Sequence, residues 1–406
     1  MAKEKVVLAY SGGLDTSIIV TWLKENYDFD VICVCCNAGQ NDDFDKINQK
    51  ALATGASKSY VLDIQEEFIT DYIWPTLKAG AIYENDYLLG TSMARPLMAK
   101  KLVEIANQEG AYYIVHGCTG KGNDQVRFET TIKALDPSIK IIAPWREWDL
   151  SSREECIEYA KAHNIPIEQT VKKIYSRDEN IWHISHEGGN LENPWNEHLD
   201  DIHVKSVPIE KAPDKATYVD ITFKAGVPVA LDGVEMGPVE LLTKLNELGS
   251  VNGVGTIDII ENRLVGMKSR GVYETPGGTI LMAAHDQLEE LILDRETMEA
   301  KKKLGSQMAQ VVYEGKWFTP LREAIQAFVT STQQYVTGEV KFKLYKGNII
   351  KAGTTSPYSL YNESLASFTT GDMYDHHDAD GFITLFGLPL KVRAMKMQEA
   401  EKNNNK

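Results

Sequence analysis

Hydrophobic positions run along this chain in two rhythms, and the change falls near residue 165. In the first stretch, short unbroken apolar runs alternate with segments of helical spacing. Val6, Val7 and Leu8 form one such run, as in a strand buried on both faces. Ile18, Ile19, Trp22 and Leu23 then recur at helical intervals. The pattern predicts strands at 5–10, 30–36, 58–63, 111–116 and 139–143, and helices at 15–26, 42–54, 91–109, 123–135 and 152–163. In 91–109, Met93, Leu97, Leu102, Ile105 and Ala106 share a face and Gly110 ends the helix. The helix at 152–163 opens on Ser151 or Ser152, with Glu154 or Glu155 at capping-box spacing. Such alternation predicts an α/β fold, a parallel doubly wound sheet with helices on both faces. Ligands of that architecture bind at the carboxyl ends of the strands.

Beyond residue 165 the period shortens. "YVDITFKAG" and "EVKFKLYKGNII" alternate every second residue and lead into turns and further strands. "PVELLTKLNELGS" and the stretch 282–310 read as amphipathic helices. This half is therefore expected to be α+β with antiparallel strands. Residues 353–381 are turn-rich, Leu388 to Ala400 reads as a short helix, and "EKNNNK" as a disordered tail.

Composition narrows the function class. The formal net charge of −15 argues against nucleic-acid binding and leaves room for small anionic substrates in a locally basic pocket. No 18-residue apolar span suggests a membrane helix, and the N-terminal apolar stretch is too short for a signal peptide. Five cysteines, Cys33, Cys35, Cys36, Cys118 and Cys156, fit reduced thiols and a cytoplasmic setting. The group in "VICVCC" lies inside an apolar strand and reads as small buried hydrophobes.

Chemistry concentrates in five stretches. In "AYSGGLDTS" a strand ends in Ser-Gly-Gly before a helix. The two glycines permit φ > 0 and close approach of a ligand to the backbone. The helix start offers unpaired N–H groups and partial positive charge. Ser11, Thr16 and Ser17 add hydroxyls, and Asp15 or Thr16 is the expected cap. The reading is a phosphate-binding turn, but no lysine follows the glycines as a Walker loop requires. In "HGCTGKGNDQVRFE" a second glycine-rich turn precedes a helix, where Asp124 can hold an ammonium and Arg127 can clamp a carboxylate. "YENDYLLGTSMARP" carries tyrosines and hydroxyls, with Thr91 or Ser92 as the expected cap. "YSRDENIWHIS" leads to His183 and His186, whose spacing lacks a third metal ligand, so ordinary packing or surface histidines are expected. "IDIIENRLVGMKSRGVYETPGG" delivers Glu261, Arg263, Lys268, Arg270 and Tyr273 and reads as a strand leading into a helix-free, charged substrate loop.

Taken together, "AYSGGLDTS", "YLLGTSMARP", "HGCTGKGNDQVRFE", "ENIWHIS" and "ENRLVGMKSRGVYETPGGT" resemble the argininosuccinate synthase family of the N-type ATP pyrophosphatases, over about residues 5 to 390. The resemblance implies an adenine nucleotide alpha hydrolase-like ATP-binding domain at 1–165. It implies an α+β synthetase domain at 166–364 and a C-terminal oligomerisation segment with its tail at 365–406. It implies ATP-dependent joining of L-citrulline and L-aspartate through citrullyl-AMP, with release of AMP and pyrophosphate. Ala9, Tyr10, Ser11, Gly12, Gly13, Leu14, Asp15, Thr16 and Ser17 would then hold ATP, and Asp15 would also face Mg2+. Cys36, where relatives often carry alanine, and Gly117 would complete the ATP site. Thr119, Asn123 and Asp124 match the aspartate site. Tyr87, Ser92, Asn123, Arg127, Ser176, Ser185, Glu261 and Tyr273 match the citrulline site. Asp15, Asp124 and Arg127 are the expected catalytic residues. Cys118, commonly alanine in this motif, reads as structural. A homotetramer is implied, with no nucleic-acid or membrane partner. On the residues alone, another AMP-forming pyrophosphate-loop ligase and a nucleotide sensor without turnover stay open.

Overall fold

The run Val6–Leu8 becomes β1 (Lys5–Ala9), the middle strand of a five-stranded parallel sheet. The computed structural model describes residues 3–150, 152–166, 175–367 and 375–404. With β2 (Asp30–Asn37), β3 (Lys58–Asp63), β4 (Tyr113–Val115) and β5 (Lys140–Ile142), the order is β3-β2-β1-β4-β5. Successive side chains of β1 face opposite cores, as the pleat requires. Val6 and Leu8 pack with Ile19, Val20, Leu23 and Ala51 on one face. Val7 packs with Ala99, Leu102, Phe128 and Ile132 on the other. The sheet is doubly wound, as the periodicity predicts. Strand order reverses between β1 and β4, so the turns that follow these two strands flank the switch point, where ligands bind in such sheets.

The helices start and stop close to expectation, with informative exceptions. The first spans Leu14–Tyr27 and opens on Gly13 without a side-chain cap. Asp15 and Thr16 lie inside it, because Ser17 N already donates to Gly13 O at 3.1 Å. The helix Gly90–Glu109 opens on Leu89 (φ 63°), so neither Thr91 nor Ser92 caps it, and Gly110 closes it as predicted. The helix Arg153–Ala162 carries the full capping box of Ser152 and Glu155, while Ser151 lies outside the described residues. The stretch 282–310 is not one helix but two, Pro276–Ile292 and Arg295–Tyr313. Asp294 restarts the chain by accepting from Thr297 N at 2.9 Å.

Two antiparallel sheets follow. β6 (Ser176–Glu179) and β7 (Ile184–Glu187) join β11 and β12 in the order β11-β12-β7-β6. The other sheet holds β8 (Thr217–Lys224), β9 (Val227–Leu231) and β10 (Val234–Glu235), in the order β10-β9-β8-β13-β14. β11 (Thr256–Asn262) and β12 (Lys268–Glu274) form a hairpin, so the stretch expected as a strand and substrate loop is two paired strands. In β13 (Gly338–Tyr345), paired with β14 (Asn348–Thr355), Val340, Phe342 and Leu344 are buried, as the period of two predicts. They share a core with Ile280, Leu281 and Leu288 of Pro276–Ile292.

Residues 1–358 form one compact unit and 359–406 another. The second contains the helices Asp378–Phe386 and Leu388–Asn404. The last of these continues through 401–404, where a disordered tail was expected, and 405–406 lie outside the described residues. Among the described residues no helix is long and apolar enough to cross a membrane.

Glu274, at the end of β12, ties the segment 204–206 to the sheet. Its carboxylate is fully buried and accepts from the backbone N–H of Val204, Lys205 and Ser206 at 2.7–3.0 Å, and from His186 Nε2 at 2.8 Å. Arg177 Nε donates to His186 Nδ1 at 3.0 Å, which leaves Nε2–H to donate to the carboxylate. Burial alone would raise the Glu274 pKa, but the bonds from His186 and the backbone outweigh it and hold it below its ordinary value. A lowered carboxyl pKa adds stability at neutral pH that is lost as pH falls through the folded-state pKa. Glu274→Gln, which sets an amide N–H against these donors, is expected to cost about 2–3 kcal/mol at pH 7. The difference should shrink in denaturant melts below about pH 4. A constant difference at all pH values contradicts the assignment.

Candidate active site

The turn after β1 is built from backbone. Gly12 lies in the left-handed region (φ 74°), where a Cβ would meet Ile47 Cγ1 at 2.9 Å. Gly13 has φ −69°, so only one of the two glycines uses the conformation expected of both. Ser11 Oγ lies 3.2 Å from Thr16 Oγ1, and Ser17 Oγ donates to Gly13 O at 2.7 Å. Lys50 Nζ donates to Gly12 O at 2.7 Å, bracing the turn from the helix Phe44–Ala53. Because no side chain caps this helix, its first N–H groups remain available to an anion. Burial raises the Asp15 carboxyl pKa, against the opposing charge of Arg153.

From Ser11 a cavity of about 480 Å³ runs across the second glycine turn to the antiparallel sheet. The strand pleat selects what reaches it. Ser185 and Glu187 of β7 face it with Tyr273 of β12 and Glu261 of β11. His186 points to the opposite face, and His183 is buried with Thr91 Oγ1 3.0 Å from its Nε2. Burial lowers the His183 pKa to about 3, so the ring is neutral. The two histidines are packing residues as expected. No cluster of three or more metal-binding side chains occurs among the described residues. Arg270 pairs with Asp258 at 2.6 Å and stays off the cavity wall.

Four guanidiniums and four carboxylates line the cavity: Arg95, Arg127, Arg177 and Arg263 with Asp124, Asp178, Glu187 and Glu261. Asp124 accepts from Arg95 Nε at 2.8 Å and from Arg127 Nη1 at 3.0 Å. Burial would raise the pKa of this carboxyl, but the two guanidiniums hold it below its ordinary value. Asp178 accepts from Thr91 Oγ1 at 2.7 Å and pairs with Arg95 Nη2 at 2.8 Å. Arg263 donates to Glu187 Oε2 at 2.7 Å. Glu261 accepts from the phenols of Tyr273 and Tyr313 at 3.2 and 3.1 Å. Burial, then Glu187, push the Glu261 pKa up. Burial likewise raises the Tyr87 phenol to about 12.

Of the residues singled out from sequence, the cavity gathers Ser11, Tyr87, Gly117, Thr119, Asn123, Asp124, Arg127, Ser176, Ser185, Glu261 and Tyr273. Ala9, Tyr10, Gly12, Gly13, Leu14, Asp15, Thr16 and Ser17 stay with the turn after β1, and Cys36 is the next-to-last residue of β2, off the cavity wall. Ser92 is fully buried and does not line the wall. Asn123 precedes its helix without capping it. Its side chain instead donates to Tyr313 OH at 2.8 Å and accepts from Leu264 N at 2.9 Å. Arg95, Asp178 and Glu187 were missed. Arg95 sits in a helix read for its apolar face, and only its partners, distant in sequence, mark it.

The model described as the argininosuccinate synthase N-terminal HUP domain matches residues 5–166, and the argininosuccinate synthase C-terminal domain matches residues 175–393. The argininosuccinate synthase of Agathobacter rectalis is 67% identical over 406 residues, covering 99% of this chain and 100% of the relative. That of Alkaliphilus metalliredigens is 65% identical over 397 residues, covering 98% and 96%. Among solved structures, the NH3-dependent NAD synthetase of Campylobacter jejuni aligns with 41% of this chain and 66% of its own, at 14% identity and a TM-score of 0.27.

The unequal glycines give a direct test. Gly12→Ala forces a side chain into the left-handed region and against Ile47, which costs about 1–2 kcal/mol. Gly13→Ala meets only Ser11 Oγ, at 3.3 Å, with an ordinary φ. Calorimetry should show a clear loss of Tm for Gly12→Ala and a smaller one for Gly13→Ala. Equal losses contradict the geometry.

Proposed function

The chain belongs to the argininosuccinate synthase family, and we propose that its cavity and turn divide that family's reaction between them. The reaction joins L-citrulline to L-aspartate and splits ATP to AMP and pyrophosphate, a step of arginine biosynthesis. The ureido oxygen attacks the α-phosphorus and expels pyrophosphate. The aspartate amine then adds to the activated ureido carbon, and AMP leaves. The protein's share is positioning and charge stabilisation.

One observation carries the residue assignment: Ser11, beside the uncapped helix start at Gly13, and the doubly clamped Asp124 line the same charge-rich cleft. Ser11, Gly12, Gly13, Thr16 and Ser17 take the β- and γ-phosphates on backbone N–H and hydroxyl groups. Asp15 would hold Mg2+, a role supported by its place in the first helical turn beside the glycines. Ala9, Tyr10, Leu14, Cys36 and Gly117 shape the rest of the nucleotide site. Asp124 receives the ammonium of aspartate, with Thr119 and Asn123 beside it. Arg127 clamps the citrulline carboxylate, with Tyr87, Asn123, Ser176, Ser185, Glu261 and Tyr273 around that substrate and Ser92 buried behind the wall. Arg95, absent from the motif-based assignment, offers a further guanidinium between Asp124 and Asp178. All four cavity carboxylates are engaged by guanidiniums or phenols, which favours a phosphate oxygen of the adenylate as acceptor of the amine proton.

The second unit supports an oligomerisation role, because Phe382, Ile383, Leu385, Phe386 and Leu390 on its helices are exposed apolar side chains. A homotetramer in the cytoplasm fits this, the five free cysteines and the acidic net charge. Light scattering of the full chain should give about four times the 45.4 kDa chain mass; a monomer rules the role out.

Pyrophosphate release from Mg-ATP should require citrulline and aspartate together, with AMP in equal amount. Asp124→Asn should then raise KM for aspartate at least tenfold, in line with loss of a charged hydrogen bond, and leave KM for ATP little changed. An equal rise for both removes Asp124 from the aspartate site.

A further inference from the structure

Tyr313 lies behind the cavity wall, at the last position of the helix Arg295–Tyr313, and is buried. Its phenol donates to Glu261 Oε2 at 3.1 Å and accepts from Asn123 Nδ2 at 2.8 Å. Its backbone carbonyl accepts from Arg127 Nε at 3.0 Å, and its ring centre lies 4.9 Å from the Arg127 guanidinium carbon. Tyr83 stacks on the same ring, with centroids 3.6 Å apart. Two residues on, Gly315 (φ 73°) lets the chain press against Arg127: a Cβ there would sit 2.6 Å from the Arg127 Cα. One residue, remote in sequence, thus touches Asn123, Arg127 and Glu261, which come from two other elements.

We propose that Tyr313 is a positioning residue of the ligation, setting Arg127, Asn123 and Glu261 in a single geometry for citrulline. The proposal rests on the assignment of those three residues to citrulline. The hydrogen-bond logic is directional. A phenol has one proton; given to Glu261, it leaves the oxygen to accept from the Asn123 amide. That orients the amide with Nδ2 toward Tyr313 and Oδ1 toward Leu264 N, as found. Arg127 is held by a carbonyl at Nε and by Asp124 at Nη1, which fixes the plane of its guanidinium and leaves Nη2 for another partner. None of this requires Tyr313 to touch a substrate.

Glu261 gives a readout that a merely structural role would not move. The groups facing it are Glu187 of β7, Arg127, Tyr273 of β12, Tyr313, and Tyr83 and Tyr87. Burial and Glu187 raise its pKa, while Arg127 and the two phenol bonds lower it. Without the Tyr313 hydroxyl, the Glu261 pKa rises further.

Tyr313→Phe keeps the ring, the stack and the carbonyl and removes only the hydroxyl. We expect KM for citrulline to rise on the order of tenfold, the loss expected for a hydrogen bond to a charged group, with KM for ATP unchanged and KM for aspartate, which Asn123 also borders, moving less. The acid limb of kcat/KM for citrulline should move to higher pH. Y313F should cost less in the E261Q background than in the wild type, because one of the hydroxyl's two bonds acts on the carboxylate, the remainder being its bond to Asn123. Melting curves of Y313F with and without citrulline read folding and binding apart from turnover, and the citrulline-induced rise in Tm should be smaller than in the wild type. If Y313F matches the wild type while E261Q loses citrulline, the positioning role falls and the citrulline assignment stands. If E261Q also leaves citrulline KM unmoved, the assignment falls first and takes the proposal with it. A uniform loss for all three substrates, with no movement of the acid limb, makes Tyr313 a packing residue and overturns the proposal.

Discussion

Four guanidiniums and four carboxylates cannot share a half-buried cavity unless each is compensated at short range, and much of the fold exists to bring the partners together. An unpaired buried charge costs several kcal/mol. Arg95 reaches Asp124 and Asp178 from the long helix of the parallel domain, and Arg263 reaches Glu187 from the tip of the β11–β12 hairpin. Glu261 has no ion pair as close; two phenols compensate it instead. Of these pairings Arg95–Asp178 joins the parallel part to the antiparallel sheet, so Arg95 is compensated in full only when both are in place. The electrostatic demand and the packing of the two halves are one constraint.

The phosphate end is organised differently. There the backbone supplies the donors, and side chains give way. The first helix opens on Gly13 with no cap, and the helix Asp124–Leu135 opens on Asn123, whose side chain is used elsewhere. A side-chain cap contributes about 1 kcal/mol, so two helix ends forgo local stability at the site. Breaking a local rule where a ligand binds is how a stable scaffold offers unfilled donors. Elsewhere Ser152, Asp43, Asp294 and Thr319 each cap a helix with a side chain, while the helices opening on Gly237, Thr275 and His377 have none.

The same contrast explains what could be read in the chain. Runs such as Val6–Leu8 and the face from Met93 to Ala106 carry their own period, so the parallel sheet and its helices were legible. Both glycine turns were legible because their chemistry is packed into a few consecutive residues. The β11–β12 hairpin was half-hidden: Ile260 is exposed and Glu261 buried, so its hydrophobic pattern does not follow its burial. Arg95 and Glu187 were hidden because their meaning lies in partners 29 and 76 residues away. The cap at Gly13 misled for a simpler reason. Asp15 and Thr16 fit a helix that starts later, and nothing local says that Ser17 N already bonds to Gly13 O.

Charge accounting links the two ends. Citrulline and aspartate together carry three carboxylates and two ammoniums, one negative charge in excess, and ATP adds more. The cavity's guanidiniums and carboxylates are equal in number, so it has no side-chain charge to spare for that excess. Mg2+ would offset part of the excess on ATP, and groups that are positive without being ionised would offset more. The uncapped N-termini at Gly13 and Asn123 are such groups, each equivalent to a fraction of a positive charge. On the proposed assignment an acidic chain needs no basic surface for polyanionic substrates: balanced ion pairs would orient the amino acids, and Mg2+ with the two helix ends would share the surplus negative charge.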